Sequence, residues 1–213
     1  MDSNHGPPRY KLGALPTELY ALTVKREIPC FGIPNCIVYP LKRKPLVFVV
    51  YTTDMTINEF TAKKIGEVLA FTRVSADTIA QGHAALVQAL GEEVVQDMLN
   101  KARIHGEELV HIATDGGAID TTLAKAVKTA EKLKQMRDLY VGDQWDNATE
   151  LLEWSGFFEG AAIVHWALVR GAGERLDNEA LMTLANEAVT YHYELLDKSE
   201  SELASVGQTK STL

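Results

Sequence analysis

From Met55 onward, apolar residues recur at the three- and four-residue spacing that puts them on one face of a helix. The first stripe runs Ile65, Val68, Thr72, Ala76, Ile79, Leu86, Leu90 and ends at Gly91, with Thr56 and Glu59 placed as a capping box at its start. Glu92 and Glu93 open a second helix, where the helix dipole favours negative charge, and Val95, Met98, Leu99, Ala102, Leu109 and Ala113 form its stripe up to Asp115-Gly116-Gly117. A third helix is expected from about Ile119 to Val141, closed by Gly142. Its outer face carries Lys125, Lys128, Lys132 and Lys134 and reads as a solvated face. Asp146 or Asn147 caps a fourth, to about Val169, which is apolar nearly all round and is therefore expected to be central and most buried. Gly171-Ala172-Gly173 is expected to break it. Asp177 or Asn178 then opens a fifth helix through Leu181, Ala185, Ala188, Val189, Leu195 and Leu196, with Ser199–Leu213 a fraying polar tail. Short glycine-containing turns between helices imply antiparallel neighbours. The expected fold is all-α, an antiparallel up-down bundle of four to five helices spanning residues 55–205, followed by a disordered tail over 206–213.

The first 54 residues are a different kind of sequence. All seven prolines and both cysteines (Cys30 and Cys36) lie there, beside one candidate strand, Leu46–Tyr51. They carry 7 Lys/Arg against 4 Asp/Glu, whereas the remainder carries 14 against 25. The acidic body argues against a nucleic-acid partner held by a broad basic surface. Two cysteines spaced Cys-x5-Cys make neither a disulfide framework nor a zinc knuckle. No apolar run is long enough for a membrane span, and no secretory h-region stands at the start, so a soluble, cytoplasmic protein is expected.

Asp2-Ser3-Asn4 is what GATTCGAAC encodes, the complement of a transfer-RNA T-loop, and Ala14-Leu15-Pro16-Thr17-Glu18-Leu19 is similar to the complement of a D-arm. Residues 1–20 thus resemble the translated antisense strand of a tRNA gene. The resemblance implies that residues 1–54 are a non-native or disordered extension and that Met55 is the natural start.

Chemistry has few carriers. The chain has no GxGxxG, no GxxxxGK[ST] and no GxSxG, and after Met55 no cysteine. One Glu-x-x-His occurs, Glu108–His111, the half-motif of carboxylate di-iron bundles. With Ala102 as zero, however, His111 falls about 180° away, on the outer face. The fifth helix holds no second copy. The likeness to ferritin-like four-helix bundles is therefore one of architecture, without the full ligand motif.

Four other histidines, His83, His105, His165 and His192, fall on apolar stripes, one per helix. A buried imidazole needs a partner at each ring nitrogen. Helix rise places His83 level with His192 and His105 level with His165 in an up-down bundle. Two pairs are therefore expected, with Glu67, Glu108, Glu150 and Glu159 as neighbouring carboxylates. Three readings stay open. The first is an interior transition-metal site, iron or another, ligated by His83, His105, His165, His192, Glu108 and Glu159. The second is a non-enzymatic module that self-associates into a homo-oligomer, its histidines being structural. It draws on the apolar excess of the fourth helix and on Tyr191 and Tyr193 of the fifth. The third is a haem or apolar-ligand pocket between helices.

Overall fold

The computed structural model describes residues 56–211. The N-terminal extension, the candidate strand and the boundary at Met55 lie outside the described residues. The described residues form an all-α bundle of six helices with no strand among them: α1 (Glu59–Gln81), α2 (His83–Leu90), α3 (Glu92–Asp115), α4 (Ile119–Val141), α5 (Ala148–Leu176) and α6 (Glu179–Lys210).

The helix ends follow local chemistry. Asn58, rather than Thr56, caps α1, its side-chain oxygen accepting from the Thr61 N–H at 2.9 Å. Asn147 and Asn178 cap α5 and α6 in the same way. Gly91 and Gly142 end α2 and α4 with positive φ of 85° and 59°. The expected first helix is two helices. Gly82 divides it, and a Cβ there would meet Leu151 Cδ1 at 2.5 Å, so the break lets α5 approach the chain closely. The expected break at Gly171-Ala172-Gly173 does not occur. Two helical glycines cost only about 1 kcal/mol each, and α5 runs on until Asp177 takes the left-handed conformation (φ 53°). The C-terminal segment also stays helical as far as Lys210.

The central helix is α1, which packs on α3, α4 and α5. Thirteen of its 23 residues are buried, against nine of 29 in α5. The expectation that the most apolar helix would be the most buried is therefore corrected. The largest helix–helix interface is the α5–α6 hairpin. The α1–α4 crossing is tight: a Cβ on Gly66 would lie 2.5 Å from the Thr122 carbonyl oxygen, and Thr122 Oγ1 donates to the Ala62 carbonyl at 3.2 Å. No described helix is long and apolar enough to cross a membrane.

Candidate functional site

The α5–α6 hairpin brings Glu159, Trp166 and His192 together in the core, exposed by 2 %, 0 % and 6 %. Glu159 and Trp166 are seven residues apart, two helical turns, and so share one face of α5. Trp166 Nε1–H donates to His192 Nε2 at 3.1 Å. An Nε2 that accepts leaves the imidazole proton on Nδ1, which donates to Glu159 Oε2. Both nitrogens of His192 are thereby satisfied inside the protein. Beside this chain lies His105 of α3, also buried, with its ring edge-on to Trp166 and to Tyr191, both at 5.8 Å. Burial above all drives the His105 pKa down to about 4, so its imidazole is neutral at physiological pH. Burial and the nearby Glu159 carboxylate push the Tyr191 hydroxyl up.

A second histidine–carboxylate pair joins α1 to α5. His165 Nδ1 lies 3.0 Å from Glu67 Oε2, and the His165 ring leans on Phe71 at 5.1 Å. Glu67 also receives Lys64 and Lys125, both at 2.9 Å. Its burial pushes its pKa up, but the two ammonium groups outweigh this and hold it below the ordinary value. A third polar knot sits where α1 meets α4. Buried Arg137 bonds Asp77 at 2.7 Å and covers the Trp145 ring at 5.0 Å, with Lys134 joining Asp77 at 3.1 Å. Two of the four lysines expected on a solvated face, Lys125 and Lys134, are thus tied to α1.

The expected histidine pairs are not the observed ones. His105 neighbours His192 through the rings of Trp166 and Tyr191, while His165 turns to Glu67. His83 sits after the Gly82 break with 43 % of its side chain exposed, and its Nε2 is 3.9 Å from Glu92. Glu108 is exposed on the outer side of α3, near Glu179 and Glu187, and His111 points outward as expected. Among the described residues no group of three or more His, Cys, Asp or Glu side chains is placed to hold a metal ion. Sequence spacing did not single out Trp166 as a hydrogen-bond partner or Arg137 as a buried cation. The available signal for Arg137 was an arginine in register with the core residues Leu133 and Val141.

The outer face of α5 is built differently. Phe157, Val164 and Leu168 are 65 %, 61 % and 43 % exposed. With Gly160, Ala161 and Gly171 they fall within an arc of about 100°, on the side of the helix away from Trp166. A Cβ on Gly160 or Gly171 would meet nothing within 4 Å. These glycines are therefore not required by the chain's own packing, though each costs helix stability relative to alanine. Glu150 and Glu153 stand at the N-terminal end of the stripe and Arg175 at its C-terminal end. Phe157 packs on Tyr140 at 5.4 Å, and Tyr140 in turn donates to Glu153 at 2.8 Å.

Compared with family models, curated proteins and solved structures, the chain matches none.

Proposed function

We propose that this protein is a non-enzymatic, self-associating helical module whose working surface is the outer face of α5. The observation that carries the reading is the continuous stripe of Phe157, Val164 and Leu168, exposed on a helix whose opposite face is already packed. Isolated apolar side chains on a surface are ordinary, but an aligned stripe interrupted by open glycines is a surface shaped for a neighbour. The interior supports the same reading. The buried polar side chains close on one another: His192 is engaged on both nitrogens, and Glu67 is surrounded by His165, Lys64 and Lys125. The buried carboxylates Glu67 and Glu159 are likewise both engaged by side chains of this chain. Sedimentation of the full chain over a dilution series tests the proposal. A reversible shift from dimer or higher toward monomer is expected. A monomer at every concentration up to about 100 μM would refute it.

A further inference from the structure

Resting on that reading, we infer that the occupant of the α5 face is a second copy of the same helix, running antiparallel, with a two-fold axis at Val164. The order of side chains along the stripe points to this register. In an antiparallel pair centred on Val164, each residue faces the one equally far on the other side of that centre. Phe157 then faces Gly171 of the second copy, and Leu168 faces Gly160. The two largest side chains of the stripe meet the two glycines beyond which the chain places nothing within 4 Å. Ala161 faces Ala167, and Val164 meets its own copy.

Charge agrees with volume. In the same register Glu153 faces Arg175, which makes no ion pair among the described residues, so an isologous interface gains the pair twice. A parallel arrangement does the opposite. It sets Glu150 and Glu153 beside their own copies, sets Arg175 beside Arg175, and stacks Phe157 on Phe157 while glycine faces glycine. The stripe spans 15 residues from Phe157 to Gly171, about 21 Å of helix. A small-residue seam also lets two helix axes come within about 8 Å, close enough for two facing Cα atoms at the axis to suit a disulfide.

Single cysteines test the register. The natural cysteines Cys30 and Cys36 are replaced by serine in the full chain, which leaves none elsewhere. Under mild oxidation, Val164→Cys is expected to cross-link at least tenfold faster than Leu168→Cys. A mixture of Phe157→Cys chains with Gly171→Cys chains is expected to give mainly the mixed dimer. Glu153→Arg is expected to weaken association about tenfold, and adding Arg175→Glu to restore it. If Leu168→Cys links to itself as fast as Val164→Cys, the pairing is parallel and the inference fails. If the cysteine-free chain is dimeric by mass but Val164→Cys stays unlinked, the register is wrong while self-association stands. If that chain is a monomer throughout, both fail together.

Discussion

The two faces of α5 solve opposite problems with the same helix. The inner face buries a carboxylate and an indole N–H, Glu159 and Trp166, and joins both to His192 of α6. The outer face carries almost no polarity, yet Phe157, Val164 and Leu168 remain exposed. Polar groups are sealed in and apolar groups are left out. The inner face is finished within one chain, because Glu159 and Trp166 both engage His192 and the rings of Trp154, Phe158 and Trp166 each meet another ring. The outer face leaves Phe157, Val164 and Leu168 exposed beside the open Gly160 and Gly171, and the proposal assigns it to a second copy of itself. Composition alone does not separate the two, since both are apolar on average.

Substitutions that act on one face and spare the other would sharpen this contrast. Trp166→Ala should have the largest effect. It removes a side chain with 0 % exposure and leaves His192 Nε2 without its donor. About 3–5 kcal/mol of stability should be lost by chemical denaturation, with monomers and dimers losing it alike.

The next effect is a pH response. His105 is driven to about 4 in the folded chain, whereas its ordinary value is 6.5. Between these values the unfolded chain binds the extra proton, so its contribution is fully present above pH 6.5 and is lost as pH falls toward 4. The loss should amount to at most about 3 kcal/mol, read as the denaturation midpoint against pH. His105→Gln should flatten that slope. Glu67 and Asp77 act at lower pH. Their lowered pKa values mean their stabilisation disappears only as pH falls below the ordinary carboxylate values of 4.5 and 3.8.

Glu159→Ala should cost about 1–3 kcal/mol, since it strands a buried imidazole N–H. It should leave the association constant unchanged.

Much of the fold could be read in the chain before its structure. Asn147, Asn178, Gly91 and Gly142 act at helix ends through chemistry confined to a few residues, and that chemistry is legible locally. The helix break at Gly82 and the helix's continuation through Gly171 are not legible locally, because both are decided by tertiary neighbours. Gly82 breaks a helix where Leu151 of a distant helix needs room, while Gly171 stays helical because nothing competes with the helix there. The same limit governed the candidate site. The inward positions of His105 and His192 follow from spacing, but the partners of His192 and His165, namely Glu159, Trp166 and Glu67, depend on which helices meet. His83 lost its place on the core stripe when Gly82 ended that stripe. The apolarity of α5 does not tell which side this chain covers: Trp166 is buried, while Phe157, Val164 and Leu168 on the other side stay exposed.

The smallest expected effect on the single chain is the most discriminating. Gly160→Ala adds a methyl to open space in a helix and should stabilise the monomer by about 0.5–1 kcal/mol. The same methyl should fill the notch that receives Leu168 and weaken association. A change that raises stability while lowering affinity is hard to explain unless the glycine serves a neighbouring copy.

The most direct measurement is the solution mass of Val164→Glu beside the natural chain, at matched concentrations and with the denaturation midpoint taken for both. Val164 is 61 % exposed, so a carboxylate there should move monomer stability by no more than about 0.5 kcal/mol. The account predicts that the natural chain is dimeric at tens of micromolar and that Val164→Glu is monomeric, with a midpoint equal to that of the natural chain once the latter is diluted to monomer. A variant with the same mass as the natural chain would contradict it.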